Sequence, residues 1–303
     1  MLLRIGLQVH RLMAPSKPLA ELTLAERLNF LLTNRLPRRW LTLFIGRFSR
    51  IRQPLVRRLS IALWQLFVDD LRLHEARKDR FDSLHDCFIR QLRHGARPLA
   101  ADAGCLVSPC DAVVGEFGDL QGLELVQAKG FPYELADLLG SERSADAFRN
   151  ARFLTLRLKS SMYHRFHAPC DGQLAGIRYI SGDTWNVNPI ALKAVERLFC
   201  KNERVVMPLQ RQDGEQVVLV AVAAILVASL RLHGLPVPLT LEYSGPNELA
   251  FDRRYAKGEE MGYFEHGSTI VLLAPRSLDF VDSLATGNVV RMGQAVMLPV
   301  GRA

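Results

Sequence analysis

The sequence changes texture once, near Pro98, and that change limits the folds open to it. From residue 1 to about 95, apolar residues recur at helical spacing, β-branched runs are few, and Pro15, Pro18, Pro37 and Pro54 mark breaks. Beyond Pro98, short apolar runs alternate with Gly, Pro, Asn and Asp: 106–107, 112–114, 152–158, 173–180, 205–207, 217–227, 239–243, 269–273 and 294–299. Such runs between turn residues predict a mainly antiparallel β domain. Short helices are expected at 133–139 and 190–199, and a last N-terminal helix over 81–88, capped at Asp82 or Ser83. The expected fold is therefore α+β, with N-terminal amphipathic helices over 1–95 and the β domain, with a few short helices, over 96–303.

Charge divides along the same line. Residues 1–60 hold twelve Lys and Arg against Glu21 and Glu26, a net of +10, whereas the whole chain carries +8. The excess belongs to one segment and describes what that segment touches. Trp40, Leu41, Leu43, Phe44, Ile45, Phe48, Leu55, Leu59, Ile61, Leu63, Trp64 and Phe67 lie between its arginines. Basic residues on one face with Trp, Phe and Leu on the other describe a helix lying in an anionic bilayer interface; packing on the protein's own core is the alternative. A nucleic-acid partner is not expected, because no recognition module accompanies the charge. The longest apolar stretch, 217–230, is too short to cross a bilayer and reads as one or two buried strands. Met1 to Val9 is too short for a signal peptide and no small-residue cleavage site follows. Peripheral contact on the cytoplasmic side is the expectation. The five cysteines show no C-x-x-C pair or zinc spacing and read as reduced thiols.

Three short stretches carry candidate chemistry. His164 and His167, at i and i+3, can share a helical turn and read as metal ligands, a base with a neighbour, or polar surface. No H-E-x-x-H or cysteine pair supplies the further ligands a metal needs, so no metal is expected. Asp111, in Ser108-Pro109-Cys110-Asp111-Ala112, reads alone as a turn residue. Ser268, after Gly267, reads alone as a loop serine at the start of a strand. Together they contain the parts of an acid–His–Ser arrangement: Asp111 to orient an imidazole, His167 to accept a proton, Ser268 to attack. The G-x-S-x-G elbow of hydrolases is missing around Ser268. Gly267 instead lets the backbone adopt strained dihedrals and exposes its carbonyl to Ser268 Oγ.

The ordered set resembles the phosphatidylserine decarboxylase family. The matching segments are Val126-Gln127-Ala128-Lys129-Gly130 with Tyr133-Glu134-Leu135, Tyr163 to Pro169 with Asp171-Gly172, Asn186-Val187-Asn188-Pro189, Leu198-Phe199 with Asn202 to Val205, and Gly262-Tyr263-Phe264 leading to Gly267-Ser268-Thr269. Two positions depart from the family pattern: His266 stands where bacterial members usually have leucine, and Ala112 follows Asp111 in place of glycine. The resemblance implies a bacterial, membrane-associated proenzyme that cuts itself between Gly267 and Ser268. Asp111, His167 and Ser268 would form the self-cleavage triad, giving a large chain 1–267 and a small chain 268–303. Ser268 would become a covalent pyruvoyl cofactor, the Schiff-base site for phosphatidylserine. His164 would return the proton as carbon dioxide leaves, so that phosphatidylethanolamine is the product. The region 1–95 would contact the membrane, and 96–303 would be the catalytic domain. Two alternatives stand beside this one: a pyruvoyl decarboxylase of a soluble amino acid, and a lipid-binding homologue that does not process. Oligomeric state stays open, a homodimer included.

Overall fold

The computed structural model of the 303-residue chain describes residues 23–24, 30–31, 37–68, 70–126, 131–225, 229–265 and 268–301. The expectations for residues 1–22, the lysine-glycine turn at 127–130, and the pair His266 and Gly267 lie outside the described residues.

Two helices of the N-terminal region stand apart in what they bury. Helix α1 (Arg38–Phe48) is held against the strands by Arg38, which pairs with Asp183 and lies 3.9 Å over the Trp185 ring, and by Arg39, which donates to Leu241 O at 3.2 Å. Helix α2 (Pro54–Phe67) starts with proline at its first turn, where no N–H is needed, and the Gln53 side chain caps Val56 N at 2.7 Å. No residue of α2 is buried; Leu55, Leu59, Leu63, Leu66 and Phe67 are exposed. Its inner side rests Ile61 and Trp64 on a small cluster of Ala76, Phe81 and Cys87. Helix α3 (Leu84–Phe88) follows, capped by Ser83, whose Oγ accepts from Asp86 N at 3.1 Å, as expected. Among the described residues, no helix is long and apolar enough to cross a membrane.

The strands begin at β1 (Leu106–Val107) and β2 (Ala112–Asp119), then β3 (Glu124–Val126) and β4 (Pro132–Glu134). Helices α4 (Leu135–Leu139) and α5 (Glu142–Asp146) lead to β5 (Arg152–Leu158), β6 (Arg165–His167) and β7 (Gly172–Ile180). The helix expected over 190–199 is two, α6 (Pro189–Ala194) and α7 (Leu198–Lys201), because Arg197 takes a left-handed φ of 52° between them. Then come β8 (Arg204–Gln210), β9 (Gln216–Ala223), β10 (Ser229–Leu232), β11 (Leu239–Thr240), β12 (Glu248–Tyr255) and β13 (Glu260–Phe264). The chain closes with β14 (Ser268–Ala274), β15 (Leu278–Phe280), β16 (Val289–Val290) and β17 (Ala295–Pro299). The fold is α+β with antiparallel sheets.

An eight-stranded sheet in the order β12-β7-β8-β9-β14-β5-β2-β16 forms the centre, and a four-stranded sheet, β11-β10-β13-β6, packs against it. Strand β14 is buried along its whole length between β5 and β9. Strand alternation sends Ile270 and Leu272 into the core shared with the four-stranded sheet, and Val271 and Leu273 into a second core under α4, α6 and α7. Burying these four side chains contributes about 8 kcal/mol, at roughly 2 kcal/mol each. A break before Ser268 would therefore leave β14 in place.

Candidate active site

The chain changes sheets between β13 and β14, and Ser268 stands at that crossing. On one side Glu265 N donates to Ser229 O at 3.1 Å, holding the chain to the four-stranded sheet. On the other, Ser268 is in register with Leu158 and Ala223 in the eight-stranded sheet. The backbone is thus fixed on both sides of residues 266 and 267. Ser268 is fully buried, and among the described residues its Oγ has no hydrogen-bond partner. A buried hydroxyl without a partner costs free energy, and the Thr269 hydroxyl beside it is in the same state.

His164 immediately precedes β6 and His167 is its last residue, so the helical-turn reading of their spacing does not hold. Their neighbours differ. His164 Nδ1 is 2.8 Å from Met162 O, its ring lies 4.1 Å from that of Phe88, and its own carbonyl accepts from Phe264 N at 3.0 Å. His164 is thereby tied to the strand that leads into the crossing. His167 Nδ1 is 2.9 Å from Gly258 O, and Nε2 is 3.0 Å from Tyr163 Oη. A carbonyl can only accept, so Nδ1 carries the proton and Nε2 keeps a lone pair, to which the Tyr163 hydroxyl donates. Burial holds the imidazole below the usual histidine range, against the Gly258 carbonyl and the charges of Glu260 and Asp111, which favour protonation. A neutral imidazole with a basic Nε2 is the result.

Asp111 does not make the expected hydrogen bond to His167. Its carboxylate accepts from Arg97 Nε at 2.8 Å and from Met292 N at 3.0 Å, and its second oxygen pairs with the other arm of Arg97. A guanidinium fork matches a carboxylate bidentately and carries full charge, so it outcompetes a neutral imidazole. Arg97 also reaches Glu75 at 2.8 Å, which Arg72 holds from its far side. Asp111 reaches His167 only as a charge across space. Among the described residues, Asp111, His167 and Ser268 are therefore not joined by hydrogen bonds.

Several residues beyond the sequence candidates shape the site. Tyr163 occupies the lone pair of His167. Glu203 lies on the same row as Ser268: its carbonyl accepts from Ala223 N at 2.8 Å, and Ala223 faces Ser268 in register. Residues in such a row share a sheet face, which puts Glu203 about 10 Å from Ser268, two strand spacings away. Burial pushes the Glu203 carboxyl up to about 7, although Tyr179 Oη donates to it at 2.7 Å. Glu265, two residues before Gly267, is gripped by Arg50 at 2.6 Å. A Cβ on Gly262 would fall 2.1 Å from Arg231 O, so glycine is required for β13 to close on β10. All five cysteines are free, and burial pushes the thiols of Cys87, Cys170 and Cys200 up to about 12; Cys110 is raised for the same reason. None is poised as a nucleophile.

With this geometry in place, comparison with known proteins gives one family. The sequence model described as phosphatidylserine decarboxylase matches residues 84–298. A phosphatidylserine decarboxylase proenzyme of Chromobacterium violaceum is 36% identical over 288 residues, covering 90% of this chain and 99% of that protein. Proteins of the same description are 36% identical in Methylibium petroleiphilum, over 90% of this chain and 98% of that one, and 34% identical in Vibrio cholerae, over 86% and 94%.

Proposed function

The chain belongs to the phosphatidylserine decarboxylase family, and on that premise we propose how its own residues mature it and serve the reaction. The enzyme decarboxylates phosphatidylserine to phosphatidylethanolamine. The observation that carries the mechanism is Ser268, a buried hydroxyl without a partner where the chain crosses between sheets held on both sides.

Maturation begins when Ser268 Oγ gives its proton to Nε2 of His167, displacing Tyr163. Oγ then bonds to the carbonyl carbon of Gly267 while the Gly267–Ser268 C–N bond breaks and the nitrogen takes a proton, leaving an ester. Loss of the proton on the Ser268 α-carbon expels the Gly267 carboxylate. The dehydroalanine left behind adds water and releases ammonia, and the small chain then begins with a pyruvoyl group. Asp111 contributes charge rather than a hydrogen bond, favouring the protonated His167 that forms in the first step. The buried orphan hydroxyl and the strand register fit that group: it would sit at the first position of β14, with Leu158 and Ala223 on either side.

The pyruvoyl carbonyl supplies the electron sink for the pair left by carbon dioxide. His164, tied to β13 through Phe264, serves as the acid that protonates the former α-carbon. The exposed apolar residues of α2, with Trp40 and Phe44 of α1 and the arginines around them, form a surface for an anionic bilayer. The protein works as a peripheral enzyme on the cytoplasmic face of the membrane, with region 1–95 making that contact and chains 1–267 and 268–303 staying together.

Release of labelled carbon dioxide from carboxyl-labelled phosphatidylserine in mixed micelles tests the reading. Wild-type protein should release it and Ser268→Ala should not; equal release from both would reject the assignment.

A further inference from the structure

A cavity of about 390 Å³ lies between α1 and the outer face of the four-stranded sheet. Its charged lining is Arg47, Arg50, Arg231, Glu242 and Glu265, together with His85. The acids do not balance the bases evenly. Arg50 is engaged by Glu265 at 2.6 Å, and Arg47 and Glu242 approach only to 3.9 Å. Arg231 has no acidic partner and no side-chain hydrogen bond among the described residues. His85 adds no charge near neutrality, because burial lowers it, with Glu265 opposing and Arg50 and Arg231 reinforcing. One guanidinium therefore lines this concavity uncommitted.

The position of Arg231 gives that charge a use. It faces Tyr263 in register, and Tyr263 carries the Arg165 guanidinium 4.8 Å over its ring, so the floor of the cavity is braced. Two residues before it, Ser229 binds Glu265, which stands three residues before Ser268. Overhead runs α1, whose Trp40 and Phe44 are exposed. A phospholipid entering from the bilayer past α1 would meet Arg231 with its phosphodiester and then direct its headgroup toward Ser268. Resting on the phospholipid reading of the site, we propose that Arg231 is the substrate-positioning residue that holds the phosphodiester of the headgroup in this cavity.

The test measures binding and turnover separately. In the Ser268→Ala background, which needs neither cleavage nor pyruvoyl, titration with a soluble short-chain phosphatidylserine should show Arg231→Gln binding about tenfold to a hundredfold more weakly, the range of a lost charge-assisted hydrogen bond. Arg231→Lys should recover part of it, since lysine keeps the charge without the fork. In the cleavable protein, KM should rise by a similar factor and kcat should fall less. Equal affinity in Arg231→Gln would overturn the proposal. So would inorganic phosphate binding as tightly as the lipid, since that describes a general anion site. Absence of carbon dioxide release by wild-type protein would instead reject the decarboxylase reading, whatever the lipid affinities.

Discussion

Tyr163 Oη donates to Nε2 of His167 across 3.0 Å, so the atom proposed to take the Ser268 proton is occupied by a phenol. Burial raises the Tyr163 pKa, which keeps the phenol protonated and donating. A hydrogen bond to the neutral imidazole favours the neutral form and lowers its pKa. Tyr163→Phe should therefore move the acid limb of the self-cleavage profile upward by about half a pH unit to one unit, the equivalent of roughly 1 kcal/mol. The rate of chain splitting against pH in freshly synthesised protein reports this. An unmoved or lowered limb would refute the phenol's role.

Asp111, Arg97 and Glu75 form a charge cluster, and removing its central cation leaves Asp111 with only Arg291 at 3.6 Å and Glu75 with only Arg72 at 2.6 Å. Arg97→Met should cost about 3–5 kcal/mol, enough to lower the thermal midpoint by many degrees or prevent folding. Glu75→Gln should cost far less, because Arg97 keeps Asp111 and Arg72 is partly exposed. Equal melting of both variants would show that the cluster is not held by Arg97.

Glu203 makes stability depend on pH in an unusual direction. Its carboxyl titrates near 7 in the fold against a reference of 4.5, with burial as the leading cause. Between those values the native protein holds a proton that the unfolded chain has released, so this group's contribution falls as pH rises from 4.5 to 7. Glu203→Gln should melt like wild type at low pH and above it at pH 8, by up to about 3 kcal/mol. A variant less stable at both pH values would mean that the carboxylate is satisfied in the fold.

The exposed leucines of α2 give a membrane test independent of chemistry. Replacing Leu55, Leu59 and Leu63 together with glutamine should reduce binding to anionic vesicles by about tenfold to a hundredfold, given the apolar area removed from the interface. Self-cleavage should be unaffected, since no residue of α2 is buried. Vesicle flotation and a denaturing gel on the same samples report both.

The sequence made most central strands legible, because β9 and β14 are buried on both faces and read as continuous apolar runs, and β5 repeats leucine at 154, 156 and 158. It concealed β12, an edge strand whose Glu248, Asp252 and Arg254 face outward, and β13, whose Glu260 and Gly262 break the apolar pattern. The spacing of His164 and His167 suggested a helical turn, and only the pairing of β6 with β13 shows the extended strand. Candidate residues Asp111, His164, His167 and Ser268 could be named from their motifs. Their neighbours could not: Arg97, the partner of Asp111, lies 14 residues from it, and Glu203, on the same strand row as Ser268, lies 65 residues away, and both placements come from the topology alone. Tyr163 stood within a matched motif, yet nothing in the spacing marked it as the donor to His167.

Intact mass of the purified protein under denaturing conditions tests the central claim most directly. The account expects two chains, 1–267 and 268–303, with the smaller lighter by one ammonia than a peptide beginning with serine. A single uncut chain of 303 residues, or a small chain beginning with unmodified serine, would contradict it.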